Sequence, residues 1–152
     1  MIPTLVSRTG TDIQALPAGL HFIALREFRE AFAYNHRRAW LFEGFIAACK
    51  ALREAGCGRI YIGGSYVTSK SEPGDYDACW DPIGVSANLD PVLYDDNFLL
   101  ERQRLYRGDL LIGGAYDGPT GENYHFLARD KETGQERGMI GIKLSLLEIL
   151  NV

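Results

Sequence analysis

The sequence predicts an α+β domain (α/β-like in its alternation), a small mixed β-sheet with helices packed on it. Three observations carry this expectation. Apolar residues recur at helical spacing through the first third of the chain. Short apolar runs such as "RIYIGG" are bounded by glycine. The two kinds of segment then alternate toward the C-terminus. A length of 152 residues suits one domain with a genuine core, residues 1–152 taken together.

Residues 1–20 read as irregular, broken by Pro3, Gly10, Pro17 and Gly19. "LREFREAFAY", from Leu25, sets Leu25, Phe28 and Phe32 on one helical face. A longer helix is expected from about Arg37 to Glu54, where Leu41, Phe45, Ala48, Cys49 and Leu52 recur at steps of three and four. Gly56 is placed to end it, since glycine tolerates the left-handed conformation of a helix terminus.

Arg59 to Ile62 reads as a short, mostly buried strand. "GGSYVTSK" follows as a turn running into a short helix that Pro73-Gly74 closes. "DYDACW" alternates and reads as a second strand, and "NLDPVLYDDNFLLERQRLY" as mainly helical after Pro91. "GDLLIGGAY" is a third strand, with Leu110 and Ile112 on one face and Asp109 and Leu111 on the other. "NYHFLARD" fits strand or helix, "KETGQ" is a polar turn, and "GMIGIKLSLLEIL" fits an apolar strand or helix.

The net charge of −4 and pI near 5.4 argue against broad, sequence-independent binding of DNA, which needs many cations over phosphates. No apolar run approaches the ~18 residues of a membrane helix, and the N-terminus lacks the pattern of a signal peptide. Cys49, Cys57 and Cys79 show no metal-ligand spacing and read as free thiols of a cytoplasmic protein.

The chemistry concentrates in "IYIGGSYVTSKSEPGDYDACW", Ile60 to Trp80. On one strand, Asp75 and Asp77 would face the same side with Cα atoms roughly 6.5–7 Å apart. Like charges that close raise a pKa or invite a cation. Mg²⁺ (or Mn²⁺) prefers oxygen ligands and completes its shell with water and substrate phosphates. A third carboxylate from a neighbouring strand would allow two-metal chemistry at phosphorus, and Asp109 is the candidate. Upstream, Gly63-Gly64-Ser65 exposes backbone N–H groups at a strand-to-helix turn, where a phosphate is favoured. The Ser65 hydroxyl and Lys70 ammonium could add a hydrogen bond and a point charge. Singly, the glycines read as a tight turn and "EPGDYD" as a solvated one; jointly, glycine turn and aspartates suit one triphosphate.

These residues resemble the signature of the DNA polymerase beta-like nucleotidyltransferase superfamily: hydrophobic strand, Gly-Gly or Gly-Ser, about ten residues, then Asp-x-Asp on the next strand. "LPAGLHFIALREF", "YNHRR", "RGDLLIGG" and "ERGMIGIKL" extend the likeness to small prokaryotic nucleotidyltransferase-like proteins over nearly the whole chain. The resemblance implies a nucleotidyltransferase fold. It also implies triphosphate binding by Gly64 and Ser65, metal binding by Asp75 and Asp77, and a third acidic ligand, carried to Asp109. Asp95, Asp96 and Asp117 compete for that last role. Tyr66 and Tyr76 stand where the pattern often has Phe and an aliphatic residue.

The expected activity is transfer of a nucleoside monophosphate from an NTP to an acceptor, either a small molecule, a protein or an RNA, in a toxin–antitoxin or defence setting. The alternative is a catalytically weak module of the same fold that acts by binding a cognate partner. A glycosyltransferase ranks low, because it would not require the glycine-serine turn. The helix-rich N-terminal half leaves pairing with a second copy open.

Overall fold

The computed structural model describes residues 1–8, 10–113, 122–131 and 133–152. Their elements run β1 (Val6–Ser7), β2 (Gln14–Ala15), β3 (Gly19–Phe22), α1 (Leu25–Phe32), α2 (His36–Glu54), β4 (Arg59–Gly63), β5 (Asp77–Trp80), α3 (Leu99–Tyr106), β6 (Asp109–Ile112), α4 (Glu122–Leu127), β7 (Gly138–Lys143) and α5 (Leu146–Leu150). The expected α+β architecture is present. A five-stranded mixed sheet has the order β3-β7-β4-β5-β6, and β1 and β2 form a separate antiparallel pair.

The apolar stripe of α2 explains the larger layer of core. Leu41, Phe45, Ala48, Cys49 and Leu52 are buried, as are Leu25, Phe28 and Phe32 of α1. They meet Ile60, Ile62, Ala78, Leu110, Ile140 and Ile142 on one face of the sheet. The opposite face carries a smaller cluster of Tyr61, Cys79, Met139 and the α4 residues Tyr124 and Leu127. Period two along the strands divides these sets, because successive side chains point to opposite faces. Asn35 caps α2 by accepting from the Arg38 N–H, and α2 ends where Gly56 takes φ +98°.

Several expectations change in detail. The N-terminal segment, expected to be irregular, holds three short strands, and β3 pairs in parallel with β7. The ambiguous "NYHFLARD" is helical through Leu127, and "GMIGIK" is a strand followed by the short helix α5. The turn after β4 continues only as a four-residue 3-10 turn, Gly64–Val67, after which Thr68 bridges Ala15 in antiparallel fashion. A phosphate at Gly64 therefore gains little from a helix dipole, because so short a turn aligns too few peptide dipoles. Among the described residues no helix is long and apolar enough to cross a membrane. Cys49, Cys57 and Cys79 are buried and free.

Candidate active site at the Gly64 turn and the Asp77–Asp109 rung

β4 and β5 are antiparallel, and their last paired residues are Gly63 and Asp77. β5 and β6 are parallel, and Asp77 is paired with Asp109. Asp77 therefore sits between the end of the glycine strand and the start of the third strand. Gly64, directly after β4, has φ +72°, a conformation that L side chains rarely adopt. The Asp77 carboxylate packs against it so closely that a Cβ at residue 64 would collide with Oδ2. A cavity of about 60 Å³ opens at this point, lined by Gly64, Asp77, Asp109, Phe126, Leu127, Arg129, Lys131 and Arg137.

Asp75 is not on β5, contrary to the expectation that "DYD" belongs to one strand. The chain on both sides explains why. On one flank β4 has already turned away at Gly64, and on the other β6 begins only at Asp109, whose N–H donates to the Tyr76 carbonyl at 2.8 Å. No strand residue remains to pair with Asp75, and it lies exposed ahead of the strand.

The electrostatics still tie the three acids together. Burial raises the Asp77 carboxyl to about 6, reinforced by the negative charges of Asp75 and Asp109 and opposed by Lys131 and Arg137. Asp75 is raised by partial desolvation and by Asp109, against Arg37, Lys131 and Lys70. Among the described residues no group of three or more His, Cys, Asp or Glu side chains is assembled to hold a metal ion. A divalent cation here would draw on Asp77 and Asp109, with substrate oxygens and water completing its shell. The strain of like charges at Asp77 is what such a cation would relieve, so the donor set fits it as an open site rather than a closed cage.

The cations facing the acids come from a tight hairpin after α4. Arg129 bridges Glu136, the Asp130 N–H donates to the Gln135 carbonyl at 2.8 Å, and the Arg137 N–H donates to the Ala128 carbonyl at 2.6 Å. This folds Arg129, Lys131 and Arg137 over the carboxylates. Reading "KETGQ" as a polar turn located the hairpin but not its direction. The clustering of Arg129, Lys131 and Arg137 in and around that turn was the available signal.

The two loops flanking the site are fixed by the start of α2. Arg38, fully buried, donates to the carbonyls of Phe32 (3.0 Å), Tyr66 (2.7 Å), Thr68 (2.7 Å) and Lys70 (2.6 Å). Arg37 donates to the carbonyl of Pro73 at 3.1 Å and to that of Gly74. One residue thus holds the loop after the glycine turn and its neighbour holds the loop before Asp75.

A family model described as "Family of unknown function (DUF6932)" matches residues 9–143. The chain belongs to the DUF6932 family. No curated protein and no solved structure matches it.

The span matched to DUF6932 contains the glycine turn, all three acids and the cationic hairpin. Of the residues expected at the site in this DUF6932 chain, Gly64, Asp77 and Asp109 share one cavity. Gly63, the last residue of β4, precedes it, and a Cβ there would collide with Met139 Sδ. Ser65 and Lys70 line neither this cavity nor the larger one beside it, and Lys70 is exposed, though its charge reaches Asp75. Asp95 and Asp96 are engaged elsewhere, Asp95 capping the Asn97 N–H at 2.9 Å and Asp96 pairing with Arg102 at 3.1 Å. Asp117 lies outside the described residues. Lys143, at the end of β7, sits over the Phe22 ring.

Proposed function

We propose that this chain is a metal-dependent nucleotidyltransferase of the DNA polymerase beta-like superfamily. It moves a nucleoside monophosphate from an NTP to an acceptor, with Mg²⁺ or Mn²⁺ held by Asp77 and Asp109. One observation carries the reading: a glycine in the left-handed conformation is packed under the Asp77 carboxylate, in a cavity that Asp109 also lines. At such a position the backbone can approach a phosphate without a side chain in the way.

In the reaction the acceptor's hydroxyl oxygen forms a bond to the α-phosphorus of the NTP. The bond from that phosphorus to the oxygen bridging to the β-phosphate breaks, and pyrophosphate leaves with the electron pair. The Asp109 carboxylate takes the hydroxyl proton. Arg129, Lys131 and Arg137 face the transferring group and offset its negative charge. The bound cation would add Lewis-acid stabilisation of the phosphoryl oxygens. Asp75, outside the strand, supports the site by its charge. Buried free thiols at Cys49, Cys57 and Cys79 support a cytoplasmic setting.

The deciding experiment incubates the protein with Mg²⁺ or Mn²⁺ and each α-labelled NTP, alone and with a cell lysate. Label transfer by the parent protein and its loss in Asp77→Ala, with the fold unchanged by circular dichroism, supports the reading. Transfer undiminished by that substitution removes the assignment.

A further inference from the structure

A second and much larger cavity, of about 480 Å³, adjoins the site. Gly64 and Arg137 line both cavities, so the two spaces meet at the glycine turn. Its walls come from β1 and β2 and from the hairpin that ends at Gly138. Ala15, Leu16 and Val67 give it apolar surface, while Ser7, Thr11 and Thr133 offer hydroxyl groups. That volume falls within the range of small-molecule pockets, and apolar walls with a few polar groups are their usual chemistry.

The charges in this cavity are unevenly satisfied. Arg8 donates to Asp130 at 2.5 Å and is held by it. Glu136, also on the lining, is solvent-exposed. Arg137 is partly buried, and among the described residues no hydrogen bond or ion pair holds its guanidinium. A partly desolvated guanidinium that no carboxylate contacts directly, and that Asp130 and Asp77 attract only through space, keeps its N–H groups open to an anion. Burial and the neighbouring Arg8 push its pKa down against the opposing charges of Asp130 and Asp77, so the two guanidinium groups are within electrostatic reach of each other.

We propose that this cavity is the acceptor site, and that its occupant is a small hydroxyl-bearing molecule with a phosphate group recognised by Arg8 and Arg137. Naming the occupant an acceptor rests on the nucleotidyl-transfer reading; the binding of a phosphorylated small molecule does not. The phosphate anchors at the arginines, and the hydroxyl reaches past Gly64 toward Asp77 and Asp109.

The test is calorimetric titration of the full chain, without NTP, with ribose 5-phosphate, glycerol 3-phosphate and inorganic phosphate as probes. Saturable binding is expected for a sugar or polyol phosphate, tighter than for inorganic phosphate. A hydrogen bond to a charged group contributes enough that Arg8→Gln and Arg137→Gln should each weaken binding about 10-fold or more. Lys50→Gln, exposed on α2 and lining neither cavity, should leave it within about threefold. Arg8→Lys keeps a charge for Asp130, and thermal unfolding of each variant separates lost binding from lost fold. No saturable binding of any probe overturns the proposal. So does weakening by Lys131→Gln with no effect of Arg8→Gln, which would put the phosphate at the aspartates. Binding that follows the expected pattern while no NTP is turned over keeps the pocket and removes the transfer reading. Transfer with phosphate binding indifferent to Arg8 does the reverse.

Discussion

Asp77 and Asp109 are paired residues on adjacent parallel strands. Their neighbourhood sets the behaviour of the site with pH. Asp77 titrates near 6 in the fold, above the 3.8 of an unperturbed aspartate. Between those values the native state binds more protons than the unfolded chain, so the cost of charging Asp77 is absent below 3.8, small at about pH 4 and fully present once the pH passes about 6.

Asp77→Asn should therefore relieve the protein at neutral pH. The variant is expected to match or exceed the parent in stability at pH 7.5, by on the order of 1 kcal/mol after solvent screening. The difference should close toward pH 4. Urea unfolding of both proteins across that range measures it, and a deficit in the variant that grows with pH would contradict the assignment.

Gly64→Ala should fail for two reasons at once. Its φ of +72° costs a residue with a Cβ roughly 1–2 kcal/mol, and the new methyl meets the Asp77 carboxylate. A fall in melting temperature of roughly 2–8 °C is expected, with a loss of nucleotide binding larger than that destabilisation accounts for. Binding retained in full by a stable Gly64→Ala protein would separate the glycine from the ligand.

Arg38→Met should be among the most damaging single changes in the chain. It strands the carbonyls of Phe32, Tyr66, Thr68 and Lys70, and bonds to a charged donor are the strong ones. A loss of roughly 3 kcal/mol or more is expected. Hydrogen exchange should show faster opening around Tyr66 to Lys70 than elsewhere. Uniform exchange with unchanged stability would show that the loop holds itself.

Arg37→Ala acts on the other loop and should be milder. Arg37 is only partly buried, and its partners are the carbonyls of Pro73 and Gly74. A stability change within about 1 kcal/mol is expected, together with weaker binding of Mn²⁺ as Asp75 is released. Metal titration followed by paramagnetic broadening reads this directly. Unchanged broadening would mean that Asp75 contributes nothing to the cation.

Much of the fold was legible locally. The stripe of Leu41, Phe45, Ala48, Cys49 and Leu52 specified α2, and "RIYIGG" specified a strand ending in a turn, because each pattern matches one backbone period. The alternation in "GDLLIGG" placed Asp109 and Leu111 together, and Leu111 does join the smaller cluster. Asp75 was misplaced for a reason that no local pattern contains. A strand extends only as far as its neighbours do, and both neighbours of β5 stop at Asp77. Arg38 was equally hidden, since its partners lie as far away as residue 70.

The sequence alone determined that a glycine-rich bend and acidic residues follow one another between strands, because backbone freedom and side-chain period are local properties. Tertiary structure decided that Asp109 stands beside Asp77, that Arg137 lines both cavities, and that Arg38 ties down the loop after the glycine turn. Those outcomes depend on which distant segments bury their apolar faces together, and that is settled by the summed packing of the whole sheet rather than by any stretch of it.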